Sequence, residues 1–140
     1  MIVDVHSHTW QYPDHFGDTF RDQATRAWGR HDVDLKVRYE DYRKQASEPV
    51  KTVVFGGKAL LSGMWVDDDY VADYVSQHPD DLIGFLSVDP TQEGWRADLE
   101  RGHQDLGLRG IKLLSMYAGN KPSDPELDDL WRYATRHGLP

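Results

Sequence analysis

Two histidines separated by one residue lie near the start of the chain, in the segment MIVDVHSHTW. Alternate side chains of a β-strand share a face, so Asp4, His6 and His8 are expected to point to the same side. The carboxyl end of a parallel strand is where α/β folds place their chemistry. Two imidazoles at this spacing can reach one divalent ion, so the pattern predicts a metal site. A catalytic zinc usually needs a third protein ligand and an open position for water.

The elements that would position these histidines can be read from four short apolar runs. The runs are rich in β-branched residues, are bounded by Gly, Pro or Asp, and have the length of buried parallel strands; they cover residues 2–5, 52–55, 82–88 and 110–114. Helical periodicity separates them, and the last helix has Asp124 as a cap, Pro125 at its first position and Gly138 at its end. The sequence therefore predicts an α/β fold of four βα units.

The first unit is longer than the others. Residues 9–34 show no clean periodicity and are interpreted as an inserted loop or lid at the active-site end. His15 and His31 lie in this segment, where solvent-exposed histidines are commoner than ligands. The whole chain, residues 1–140, is expected to form one domain.

Composition excludes several classes of function. The net charge is −8 and no basic stripe is present, so a nucleic-acid partner is not expected. The chain has no cysteine, which excludes disulfides, thiolate metal sites and a cysteine nucleophile. Neither a signal sequence nor an apolar run near the ~20 residues of a membrane span is seen, so a cytoplasmic protein without membrane contact is expected. No Gly-x-Ser-x-Gly elbow or phosphate-binding loop occurs.

The sequence resembles a known family at several places. The segment VDVHSHTW resembles the first-strand His-x-His signature of the amidohydrolase superfamily, in its amidohydrolase-related branch. IGFLSVDP and LGLRGIKLLSMYAGNKPSDPELDDLWRYATRHGLP resemble the third and fourth strands and the fourth helix of that branch. Polymerase-and-histidinol-phosphatase domains open similarly, but they usually continue with Ser-Asp-Gly where this chain reads Thr9-Trp10-Gln11.

The resemblance implies a metal-dependent hydrolase built on a (β/α)₈ barrel. In such an enzyme a metal-activated water attacks an amide, ester or lactone, or a small carboxylic acid is decarboxylated. It implies His6 and His8 as metal ligands, with zinc the first choice and Mn or Fe as alternatives, and a small-molecule substrate. The family's further ligands and its general base come from later strands, beyond Pro140, so no catalytic base is assigned in this chain.

A complete barrel needs about 250 residues, so the chain is expected to be the N-terminal (β/α)₄ half of one. It is either a fragment or a half-barrel completed by a partner chain, and the open edges of its sheet predict a homo-oligomer. The alternative function is therefore a non-catalytic half-barrel module.

Six further residues are candidates for the surroundings of the metal. Lys112, in GIKLL, is interpreted as bridging two metals, as an ion-paired lysine or as a contact for a substrate carboxylate; an unpaired lysine in an apolar strand is costly. Asp4 is expected either to hold an imidazole tautomer or to have a structural role. The others follow strand ends and suit an apolar pocket, with ordinary loop packing as the alternative: Trp10, Trp65, Met116 and Tyr117.

Overall fold

The structure analysed is a computed structural model, which describes residues 2–29, 34–46, 48 and 50–140. Its strands are β1 (Ile2–His8), β2 (Val50–Phe55), β3 (Lys58–Ala59), β4 (Met64–Trp65), β5 (Leu82–Val88) and β6 (Ile111–Leu113). Its helices are α1 (Asp18–Trp28), α2 (Tyr39–Gln45), α3 (Asp68–Ser76), α4 (Trp95–Gln104), α5 (Ser115–Ala118) and α6 (Asp128–His137). Within the described part of the chain, no helix has the length and apolar character needed to cross a membrane.

Four strands form one parallel sheet in the order β1-β2-β5-β6. Each strand of this sheet pairs with the preceding strand in that order, and helices connect the paired strands. The sheet therefore curls into a half-barrel. The predicted α/β fold of four βα units is thereby confirmed. The antiparallel pair of β3 and β4 was not predicted, because two-residue strands are too short to show a period.

The main core lies between the sheet and its covering helices. Its buried members are Val66, Val71, Leu86, Val88, Trp95, Leu99, Leu108 and Leu130. Gly84 of β5 lets the core side chains approach the sheet closely, since a Cβ on Gly84 would lie 2.6 Å from the Leu108 side chain. In β5, the side chains that alternate with those of Leu86 and Val88 point to the opposite, concave face of the sheet.

Two predicted segments differ from the observed ones. The inserted segment 9–34 contains α1, which was not predicted: its apolar residues Phe20, Ala24, Ala27 and Trp28 have helical spacing, but two of them are alanines and none is buried. The last helix begins at Asp128 after a 3₁₀ turn at Pro125–Leu127, while Asp124 accepts a hydrogen bond from the Lys121 backbone N–H. Its predicted end is confirmed, because Gly138 closes α6 with φ +63°.

Candidate metal centre at the strand ends

The imidazoles of His6 and His8 lie side by side at the carboxyl end of β1. Their ring centroids are 5.3 Å apart, and both rings meet the Phe55 ring edge-on, at 5.1 and 4.7 Å. Phe55 is 3% exposed, whereas His6 is exposed and His8 is half-buried. The structure therefore brings the two histidines together on the concave face, beside the buried Phe55 ring of the neighbouring strand.

His8 is held in a form that suits a ligand. Its Nδ1 lies 3.4 Å from the carbonyl oxygen of Gly56, and donation from Nδ1–H leaves the Nε2 lone pair free. Burial lowers the pKa of His8 to about 4, an effect that the Gly56 hydrogen bond opposes and the charges of His6 and Lys112 reinforce. The ring is therefore neutral near neutral pH, which is the form that binds a metal ion.

Gly56 connects this site to the core. A Cβ on Gly56 would lie 2.5 Å from the Cβ of Val66, a residue with no exposed surface. No side chain fits there unless the end of β2 or the core moves. The position of the carbonyl that accepts from His8 thus depends on a glycine at this position.

A register shift in β1 separates Asp4 from the two histidines. Asp4 lies opposite Thr52 and His8 lies opposite Phe55, with an irregularity of one residue between Asp4 and Ser7. Thr52 and Phe55 are three positions apart in β2, so their side chains lie on opposite faces of the sheet. The prediction that Asp4 shares a face with His6 and His8 is wrong, because an extra residue in β1 breaks the strict alternation on which it depended.

Asp4 instead has contacts that support the first strand. Its Oδ2 is 3.4 Å from the Tyr42 hydroxyl of α2, and that hydroxyl is 2.6 Å from the Thr52 Oγ1. Its Oδ1 accepts the backbone N–H of His6 at 3.0 Å. Of its two predicted roles, these contacts favour the structural one, and they hold the backbone at the irregularity that directs His6.

Lys112 lies on the same concave face as the imidazoles. Its Nζ is 4.4 Å from the centroid of the Phe55 ring, a cation–π distance. Burial lowers the pKa of this lysine, and its positive charge in turn disfavours protonation of His8. His6, His8, Phe55 and Lys112 therefore form one cluster across β1, β2 and β6, which we call the concave cluster.

Trp10 joins the inserted segment to this cluster. Its ring centroid is 4.5 Å from that of His8, and its Nε1–H donates to the Leu35 carbonyl at 2.5 Å. The Phe16 ring meets the indole edge-on, with centroids 5.3 Å apart. Trp10 thus lies at the site, as its position after β1 predicted.

The other three aromatic or Met candidates belong to different surroundings. Trp65 of β4 donates to the Asp67 carboxylate at 3.0 Å, and its ring is 5.6 Å from the Nζ of Lys58. Met116 and Tyr117 lie on the short helix α5 and are 87% and 45% exposed. Loop packing or solvent exposure describes them better than a shared apolar pocket, because α5 turns these side chains outward while Ala118 is buried.

Within the part of the chain that the structure describes, no third ligand is found near the imidazoles. Among the described residues, no group of three or more His, Cys, Asp or Glu side chains could hold a metal ion. The Nδ1 of His15 accepts the Gln11 backbone N–H at 3.0 Å, and its ring packs on Tyr70. His31 lies outside the described residues.

Phe55, Gly56 and Ser87 are site residues that sequence reasoning missed. Phe55 and Gly56 end the strand next to β1, so the predicted order of strands placed them beside His8. Ser87 lies opposite Lys112 across β5 and β6, a pairing that only the register reveals. A phenylalanine, a glycine or a serine in such a strand does not by itself indicate a functional site.

Comparison with known proteins agrees with this fold. The family model for amidohydrolases matches residues 3–140. The structure is similar to that of an uncharacterized TIM-barrel protein from Bordetella bronchiseptica, with a TM-score of 0.72 and 18% sequence identity. The match covers 99% of this chain and 53% of the Bordetella chain, so this chain spans about half the length of that protein. No curated protein matches. The chain therefore belongs to the amidohydrolase family, and its four parallel strands form a half-barrel of the TIM type.

Proposed function

We propose that this chain contributes His6 and His8 as ligands to the metal centre of a metal-dependent hydrolase. The observation that carries the proposal is the pair of imidazoles 5.3 Å apart on the concave face, at the carboxyl end of β1. Family membership supports hydrolytic chemistry on an amide, ester or lactone, with decarboxylation of a small carboxylic acid as the related alternative.

The donor set fits a divalent ion in part. His8 has its Nδ1 near a backbone carbonyl, which is the usual second contact of a metal-bound histidine, and its neighbour His6 is accessible. Two imidazoles suit zinc best, with manganese or iron as alternatives. When bound, such an ion supplies Lewis acidity and lowers the pKa of water to about 7. The side chains of Phe55 and Trp10 shield His8 from solvent, and Lys112 adds a positive charge beside it.

Metal content tests the proposal directly. After incubation with zinc and removal of loosely bound ions, elemental analysis is expected to find about one ion per chain, or per assembly if chains share the site. His8→Ala and His6→Ala are each expected to abolish this retention, because a single imidazole is a weak ligand set.

His78→Ala is the matched control, since His78 follows α3, on another element from the pair, and its ring stacks on that of Tyr39, with centroids 3.5 Å apart. It should retain as much zinc as the wild type. Equal retention by all three variants would show that the zinc binds elsewhere and would contradict the proposal.

A second candidate is a non-catalytic half-barrel module. Its support is the missing third ligand among the described residues, together with apolar side chains left open on β1. Ile2, Val3 and Val5 are 51%, 48% and 70% exposed. An open strand edge with apolar side chains favours association.

We propose that a second copy of the chain covers this surface. Sedimentation velocity is expected to show a dimer or larger assembly, and Val5→Lys is expected to shift it toward monomer. A compact, stable wild-type monomer would contradict this proposal.

A further inference from the structure

Ser87 and Lys112 are neighbours on the concave face. They are register partners across the parallel pair of β5 and β6, and directly paired residues of neighbouring strands point to the same side. Leu86 packs into the core with the helices, so Ser87, the next residue of the strand, faces the opposite way. This is the face on which Lys112 approaches the Phe55 ring.

Both side chains are donors without a partner among the described residues. The Oγ of Ser87 has no hydrogen-bond partner there, although the residue is only 1% exposed. The half-buried Lys112 has no carboxylate within 4.0 Å there either. Buried polar groups are normally hydrogen-bonded, so the buried Ser87 hydroxyl indicates an acceptor that comes from outside this set, and the neighbouring ammonium favours an anionic one.

The nearby acidic groups do not supply that acceptor. Asp68 is the carboxylate next to Ser87, but its Oδ1 accepts the Ser87 backbone N–H at 2.9 Å and its Oδ2 binds the Nζ of Lys58 at 2.8 Å. Asp4 lies on the opposite face of the sheet from Phe55, as the register of β1 shows. Asp89, two residues after Ser87, accepts the backbone N–H groups of Leu60 and Thr91. The positive charge of Lys112 beside Phe55 therefore remains unpaired among the described residues.

We infer that Ser87 and Lys112 form a subsite for a carboxylate group of the substrate. The inference rests on the proposed function, because the imidazole pair defines where the reacting bond would lie. Phe55 separates the two parts of the site: its ring is 4.4 Å from the Nζ of Lys112 and 4.7 Å from the His8 ring. A small carboxylate held by the ammonium and the hydroxyl would rest its apolar part on Phe55 and present its other end to the imidazoles.

A matched pair of probes tests the subsite without requiring activity. Benzoate and benzamide have similar shapes but differ in charge, and the binding of each to the 140-residue chain can be followed by NMR titration. We expect benzoate to bind about tenfold more tightly than benzamide, because charge-assisted hydrogen bonds are stronger than neutral ones. Lys112→Met should remove this preference, Lys112→Arg should keep most of it, and Ser87→Ala should weaken benzoate binding several-fold.

Lys44→Met is the control for net charge. Lys44 lies on α2, and its side chain is 75% exposed. Its substitution by methionine removes the same single positive charge as Lys112→Met, so the preference for benzoate should be unchanged. Equal binding of the two probes by the wild type, or an unchanged preference in Lys112→Met, would overturn the subsite. The zinc content of the same preparations distinguishes this failure from failure of the metal centre: a chain that retains zinc and shows no preference refutes only the subsite.

Discussion

Replacing Lys58 with methionine is expected to lower the free energy of unfolding by about 3–5 kcal/mol near neutral pH. The side chains of Lys58 and Asp68 are 5% and 2% exposed, and the Nζ lies 2.8 Å from the Oδ2 of Asp68. A second carboxylate, that of Asp98, is 3.3 Å away. Without the ammonium, the buried Asp68 carboxylate keeps, among the described residues, the backbone N–H of Ser87 as its hydrogen-bond donor. Urea denaturation of both proteins measures the difference.

The cost of this substitution should depend on pH. Burial raises the pKa of the Asp68 carboxyl, and the Lys58 ammonium opposes the effect. A carboxyl whose pKa is higher in the folded than in the unfolded state binds its proton more tightly when folded, so its contribution to stability falls as pH rises. Loss of Lys58 enlarges this difference. The variant is therefore expected to lose more stability relative to wild type at about pH 8 than at about pH 5.

An exposed ion pair supplies the control for this prediction. Arg101 contacts both carboxylate oxygens of Asp69, at 2.8 and 2.5 Å, but the two side chains are 49% and 54% exposed. Arg101→Met is expected to cost less than about 1 kcal/mol. A Lys58→Met variant no less stable than Arg101→Met would show that burial does not govern the energy of the Lys58 pair. Adding Asp68→Leu to Lys58→Met should recover much of the loss, since no uncompensated charge remains.

The sheet could be predicted because each strand carries its own signal. Runs such as TVVF at 52–55 and LIGFLSV at 82–88 are buried on both faces of a parallel sheet, and their composition shows it. Helix α1 could not be predicted in the same way. Its apolar stripe is weak, with two alanines beside Phe20 and Trp28, and it buries no residue, so the pattern was interpreted as part of a loop.

The candidate site was predictable only where alternation in a single strand decides it. His6 and His8 do lie on one face, with ring centroids 5.3 Å apart, although His6 falls within the irregular stretch between Asp4 and Ser7. Asp4 lies before the irregularity, and no Gly or Pro in the sequence marks an extra residue there. The pairing of Ser87 with Lys112, or of Lys58 with Asp68, depends on register and tertiary packing, which a single sequence does not specify.

Replacing Leu86 with alanine is expected to lower the free energy of unfolding by about 2–5 kcal/mol. Leu86 has no exposed surface, lies in β5 and belongs to the same buried core cluster as Val71 and Leu99. The backbone of α4 packs directly on it, since a Cβ on Gly102 would lie 2.9 Å from the Leu86 Cβ. The main chains of a strand and a helix bound the space that the substitution empties, so the site cannot collapse to fill it. Thermal or urea denaturation measures the loss.

Leu61→Ala is the matched control, because Leu61 is 71% exposed and loses the same atoms. Its effect is expected to stay within about 0.5 kcal/mol. Similar losses in the two variants would contradict the assignment of Leu86 to the core. A much larger loss of stability in Leu86→Ala would instead measure the contribution of the packing between β5 and α4. This packing also fixes the direction of the side chain of the residue that follows Leu86 in the strand. Since that residue is Ser87, Leu86→Ala should also weaken benzoate binding at temperatures where the variant remains folded.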